Sequence, residues 1–137
     1  MGLVLDSSVL IAAERQAKAV SELLLTFQRD QGQSEILLSS ITVIELEHGL
    51  HRANSAEVLR KRRDYLDTIF AAIPVEPFTH EMAQLAAKID AEAKKGGYVI
   101  PFADLLIGVT ALHFDCALGT RNPRHFQMIP GLKIISL

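Results

Sequence analysis

The chain has 137 residues, 49% of them hydrophobic and 22% charged, with 5 prolines and a formal net charge of −2. That length and apolar content suffice for one self-supporting core and exclude a disordered chain, and the slightly acidic balance excludes a global basic field for nucleic acid, so an anionic partner must be held locally or through a metal. No apolar run approaches the ~18 residues of a membrane span, no basic leader opens the chain, and the lone Cys116 has no partner for a disulfide or a Cys-rich zinc site. The expectation is a cytoplasmic protein with no membrane contact and Cys116 as a small core residue.

In chain order, GLVL (2–5) reads as a short buried strand. SSVLIAAERQAKAVSELLLTFQRD has helical composition with a break near Arg15–Lys18, and QGQS (31–34) makes a turn. EILLSS (35–40) is a second strand, and ITVIELEHGLHRA is a helix entered from Ser39 or Ser40. SAEVLRKRRDYLDTIFAAI is another helix, with Ser55 as N-cap and Glu57–Lys61 as an i,i+4 pair. PVEPF (74–78) is a short extended piece confined by two prolines. THEMAQLAAKIDAEAKKGG has a Thr79 N-cap, Met82, Leu85, Ala86 and Ile89 at helical spacing, and glycines as its stop. Pro101 opens the last helix, and CALGT (116–120) and LKIISL (132–137) are the final strands on either side of the turn-rich RNPRHFQMIPG.

No repeat, linker or low-complexity tract divides residues 1–137, so one domain is expected. Strands alternating with helices imply right-handed crossovers, hence an α/β fold with a central, mostly parallel sheet of four to five short strands flanked by helices. In such sheets the ligand crevice lies beyond the carboxyl ends of the strands. Asp6 directly follows a strand and therefore reaches it.

PFADLLIGVTAL (101–112) carries the sharpest signal. On a helix, Phe102, Leu105, Leu106, Val109 and Leu112 form one broad stripe, with Asp104, Ile107, Gly108 and Ala111 opposite. Asp104 is the only charge in the segment, and an uncompensated carboxylate in such company costs several kcal/mol or takes up a proton. A structural explanation exists for each acid: Asp104 falls in the first turn if Pro101 is the first helical residue, and Asp6 can cap the helix that starts at Ser7. Two such acids at crevice-reaching positions also suit a hard divalent cation such as Mg2+, which is gripped by one or two carboxylates and keeps several waters.

Other candidates are less sharply drawn. In ITVIELEHGL the wheel groups Val43, Leu46 and Leu50 on one side and Glu45 with Ile41 and His48 on another, and periodicity does not choose between Glu45 and Glu47. Glu47, His48 and His51 share one helix, but the HExxH spacing of metalloproteases and the paired ExxH helices of di-iron bundles are absent, so surface histidines or RNA contacts are expected. LRKRRDYL (59–66) packs four consecutive basic residues, either a solvated helix face or phosphate contacts. The apolar stretches 19–27 and 65–73 fit either core or an interface.

Taken together, LVLDSSVLI, SSITVIELEHGL, IPFADLLIGVTAL and LGTRNPRHFQMIPGLKI resemble the PIN-domain family, and particularly its VapC-type toxin ribonucleases, over essentially the whole chain. The resemblance implies a PIN-like three-layer fold, an acidic site binding Mg2+ or Mn2+, and endonucleolytic cleavage of RNA, with structured RNA such as tRNA as the substrate class. It selects Asp6, Glu45 and Asp104 as the matching acidic positions, rather than Glu47, with Asp6 and Asp104 as metal ligands. At the fourth position, often an acid in the family, this chain reads TRNPRHF, where Asn122 and His125 are the nearest matches. Ser8, Thr120 and Arg121 resemble polar positions near the site, and Arg121, Arg124 and His125 are placed to steer an RNA backbone. Further implied are a small VapB-type antitoxin, whose C-terminal segment occupies the groove, and homodimerisation.

Three other classes draw on the same residues. A non-catalytic PIN-like module would keep the pocket and only hold RNA or a protein. A receiver-like phosphoaspartate domain is disfavoured because DSSV lacks a second Asp two residues on and no Gly-rich phosphate loop follows. A serine hydrolase lacks its G-x-S-x-G elbow.

Overall fold

In the computed structural model, which describes residues 2–32 and 35–137, five strands form one sheet in the order β3-β2-β1-β4-β5, every adjacent pair parallel. The strands are β1 (Leu3–Leu5), β2 (Ile36–Ser39), β3 (Val75–Glu76), β4 (Ala117–Thr120) and β5 (Ile134–Ser136). Six helices connect them: α1 (Ser7–Arg15), α2 (Val20–Gln31), α3 (Ser40–Leu50), α4 (Ala56–Ala72), α5 (His80–Lys95) and α6 (Phe102–His113). The expected α/β class therefore holds, at the upper strand count and with no antiparallel pair.

Strand periodicity creates the three layers. Successive side chains of β1 point to opposite faces. Leu3 and Leu5 enter a core with Leu10 of α1, Leu23 and Phe27 of α2, and Leu66 and Ile69 of α4, while Val4 enters a second core with Met82 and Ile89 of α5 and Leu105 and Val109 of α6. The same alternation sends Leu38 to the first core and Leu37 to the second, and divides Ala117 from Leu118 in the same way. Being buried on both sides, the central strands read as continuous apolar runs. The apolar stretches 19–27 and 65–73 turn Val20, Leu23, Phe27, Leu66, Ile69 and Ile73 inward, so of the two expected uses core is the one observed.

The local signals fall where anticipated. Ser39, Ser55 and Thr79 accept backbone N–H bonds at the starts of α3, α4 and α5. Lys61 pairs with Glu57 at 3.4 Å. The break between α1 and α2 contains Ala17 at φ 52°, and α5 ends in Gly96–Gly97, where Gly97 has φ 84°, a conformation that glycine adopts without a Cβ penalty. Of the expected turn at 31–34, Gln31 closes α2 and Gly32 has φ 62°, while 33 and 34 lie outside the described residues. Cys116 is buried and free, and that burial raises its thiol pKa.

Two details differ from the pattern reading. Pro101 is the N-cap of α6 and not its first helical residue, and Phe102, placed by the wheel in the apolar stripe, is 72% exposed. Leu105 and Val109 of that stripe are buried, so the stripe holds from the second turn, where the helix lies against the sheet. On α3 the fully buried polar side chain is Thr42, whose hydroxyl has no hydrogen-bond partner among the described residues. Thr42→Val removes an unpaired buried hydroxyl with little change of shape and should raise the free energy of unfolding by about 1 kcal/mol, measured by urea titration.

Candidate active site

The site sits where the carboxyl ends of β1, β2 and β4 meet. Asp6 directly follows Leu5, whose sheet partners Leu38 and Gly119 are followed by Ser39 and Thr120. Asp6 is 5% exposed and caps α1, accepting a bond from the Ser8 N–H at 3.1 Å. The Ser8 hydroxyl donates to the same oxygen, Oδ1, and the Thr120 hydroxyl donates to Oδ2 at 2.6 Å. These hydroxyls are fixed in turn, because Arg121 N–H donates to Ser8 Oγ at 3.1 Å and Asn122 N–H donates to Thr120 Oγ1 at 2.9 Å. Charge-assisted bonds to both oxygens orient this carboxylate before any ligand arrives. The structural reading of Asp6 as the N-cap of α1 is thus the one observed.

Glu45 projects from α3 and accepts the Ser7 hydroxyl at Oε1, 3.0 Å away. Its pKa is raised, chiefly by burial; the Ser7 bond works against this, and the negative charges of Asp104 and Asp6 add to it. Asp104 stands in the first turn of α6, its side chain 16% exposed, with His125 Nδ1 lying 3.2 Å from Oδ2. Its pKa is also raised, first by burial; His125 opposes the shift and Asp6 adds to it. The three acids therefore share one electrostatic neighbourhood although they lie on separate elements.

Such a donor set fits a hard divalent cation. Oxygen donors crowded in a half-buried site repel one another until a positive charge enters. Among the described residues no group of three or more His, Cys, Asp and Glu side chains forms a ready-made metal cage. A hard cation at such a site would take one or two of these carboxylates, with waters completing its sphere.

The remaining candidates separate clearly. Glu47, two residues from Glu45, points to α4 and pairs with Arg63 at 2.8 Å. His48 and His51 are exposed. In the basic run, Lys61 pairs with Glu57, Arg62 lies 3.9 Å from Glu14, and Arg63 binds both Glu47 and Asp67, so three of the four charges bind the chain's own acids. The run therefore lies on an open helix face laced with surface ion pairs, in keeping with the solvated-face reading. Of the two residues nearest the family's fourth acidic position, His125 touches Asp104 through its side chain, whereas Asn122 joins the network through its backbone N–H. Arg121 and Arg124 are exposed beside them. Ser7 was not singled out from the sequence; its only signal was its place between an N-cap acid and a second serine.

The PIN domain profile matches residues 3–131. The chain belongs to the PIN domain family. Among curated PIN relatives, Ribonuclease VapC1 of Rickettsia felis is 28% identical over 137 residues, covering 100% of this chain and 97% of its own. Ribonuclease VapC of Rickettsia bellii is 26% identical with the same coverage. In fold, this PIN domain superposes on VapBC2 from Rickettsia felis, crystallised bound to a DNA fragment from their promoter, with a TM-score of 0.85, 21% identity and coverage of 100% of this chain and 99% of that one. DNA-bound VapBC from Salmonella typhimurium gives 0.83 at 20% identity, covering 99% and 98%. Among the described residues no helix is long and apolar enough to cross a membrane.

Proposed function

We propose that this PIN domain is a Mg2+-dependent endoribonuclease, with Mn2+ as a substitute, and that it is the toxin of a type II toxin–antitoxin pair. The observation that carries the reading is the convergence of Asp6, Glu45 and Asp104 on one half-buried site in a chain that aligns end to end with VapC ribonucleases. Asp6 and Asp104 would hold the ion, which when bound supplies charge for the scissile phosphate and an acidified water.

The protein's own groups do the positioning. Ser8 and Thr120 lock both oxygens of Asp6, so its charge is presented without reorganisation. Ser7 occupies Oε1 of Glu45 and leaves Oε2 to accept a proton from the attacking water, a role that a carboxylate with a raised pKa performs better than an ordinary one. His125 orients Asp104, Asn122 completes the polar rim, and Arg121 and Arg124 offer charge to the RNA backbone. A VapB-type antitoxin covers the acidic site and silences it, and the toxin functions as a homodimer, with structured RNA such as tRNA as its substrate class.

Glu45 and Glu47 give the direct test. In a gel assay of RNA cleavage in Mg2+, Glu45→Gln should lower the rate by about a hundredfold or more, Glu47→Gln should retain it within about threefold, and EDTA should abolish it. The reverse order for the two glutamines would reassign the base, and cleavage indifferent to EDTA would remove the metal reading.

A further inference from the structure

Five polar or charged side chains are buried among the described residues: Asp6, Ser39, Thr42, Thr110 and Thr120. Asp6 and Thr120 belong to the acidic site, and Thr42 has no partner. The other two, Ser39 and Thr110, stand 71 residues apart in the chain, are fully buried, and bond to each other. Ser39 ends β2 and caps α3, whereas Thr110 lies in the second half of α6.

Chemistry dictates the order of donors between them. Thr110 Oγ1 is 2.9 Å from the Leu106 carbonyl and 3.1 Å from Ser39 Oγ. A carbonyl only accepts and a hydroxyl has one proton, so Thr110 donates to Leu106 and takes the proton of Ser39. Ser39 Oγ in turn accepts the Ile41 N–H at 3.1 Å. One run of bonds thus leads from the Ile41 N–H through Ser39 and Thr110 to the Leu106 carbonyl. Its ends are backbone groups of the two helices that carry acids: Ile41 stands one turn before Glu45 on α3, and Leu106 two residues after Asp104 on α6. Among the described residues no other side-chain hydrogen bond joins α6 to β2 or α3. Ile41 also packs against the second core, which includes Leu105 and Val109 of α6. Apolar burial is non-directional and lets one helix slide along the other, whereas buried hydrogen bonds are directional and fix the offset.

We propose that Ser39 and Thr110 are positioning residues for RNA cleavage: their linked hydroxyls set where α6 stops along α3, and with it the placement of Asp104 relative to Glu45. The inference rests on the ribonuclease reading above and extends it to a pair of side chains that touch neither acid. A misplacement of about 1 Å costs up to about a hundredfold in rate, so a bond far from the reacting atoms governs turnover.

The test uses the full chain and compares Thr110→Val, which keeps the shape of the side chain and breaks the run of bonds, with Thr110→Ser, which keeps the hydroxyl and loses a methyl. Both should lower Tm by about 2–5 °C, the first by stranding the Ser39 proton and the second by lost packing, so stability does not separate them. Activity does. In RNA cleavage at saturating Mg2+, Thr110→Val should lower kcat about thirtyfold with KM for RNA within about twofold, and Thr110→Ser should keep kcat within about threefold. Thr110→Val should also lose most of the rise in Tm that Mg2+ gives the parent, and Thr110→Ser should retain it. Thr42→Val, on α3 but outside the run of bonds, should leave kcat and the Mg2+ rise at parental values. Parental kcat in Thr110→Val, equal losses in Thr110→Val and Thr110→Ser, or the same loss in Thr42→Val overturns this inference and leaves the ribonuclease reading standing. A parent that cleaves no RNA removes that reading, and the Mg2+ rise in Tm then decides this one: lost in Thr110→Val and present in Thr110→Ser upholds it, and any other pattern, including no rise in the parent, overturns it.

Discussion

Asp104→Asn should lower RNA cleavage in Mg2+ by about a thousandfold or more while leaving the metal-free protein at least as stable as the parent. Asparagine keeps the shape of the side chain, so α6 and its first turn are undisturbed, but it removes one of three mutually repelling charges from a half-buried site. The contact it gives up, to a His125 side chain that is 53% exposed, is screened by solvent and worth little. The decisive comparison is thermal: with Mg2+ at ten times its Kd, the parent should gain about 3–5 °C in Tm, and Asp104→Asn should gain none. A variant that cleaves at the parental rate, or that gains as much from Mg2+, would show that Asp104 is a helix-terminus acid and nothing more.

Phe126→Ala should cost about 3–5 kcal/mol and lower Tm by about 10–15 °C. Phe126 is fully buried in the second core, where it packs among residues of α6 and β4. It also closes the short 3-10 turn Pro123–His125, donating its N–H to the Pro123 carbonyl at 3.1 Å. The ring is thus the anchor of the loop whose preceding residue, His125, faces Asp104. Activity should fall even at temperatures where the variant remains folded, because the loop loses its fixed seat. Scanning calorimetry with a parallel cleavage assay measures both, and a Tm loss below about 3 °C would mean the loop is held from elsewhere.

Asp6 and Asp104 were visible in the sequence because each is a lone charge in an apolar run, and burial makes such a charge conspicuous. Glu45 was not distinguishable from Glu47 by periodicity: both lie on α3, two residues apart, with partly exposed side chains. Partners on other elements separate them, since Ser7 of α1 takes Glu45 and Arg63 of α4 takes Glu47. The basic run divides in the same way: Lys61 meets Glu57 one turn away, as spacing predicts, whereas Arg62 meets Glu14 and Arg63 meets Glu47, 48 and 16 residues away, which spacing within the helix does not reveal. Phe102 fails in the opposite direction, because a wheel has no knowledge of where a helix first meets the sheet.

The sequence by itself determined the order of strands and helices, the caps of α1, α3, α4 and α5, the α/β class, and the two lone acids, one just after a strand and one in the first turn of a helix. Each of these depends on side-chain spacing or on chemistry within a few residues, which local patterns carry in full. Tertiary structure alone decided which acids share a site, that Thr120 grips an aspartate 114 positions earlier, and that His125 rather than Asn122 reaches Asp104 with its side chain. Those pairings follow from the register of parallel strands and the crossovers between them, and a parallel sheet brings together residues whose proximity no local pattern encodes.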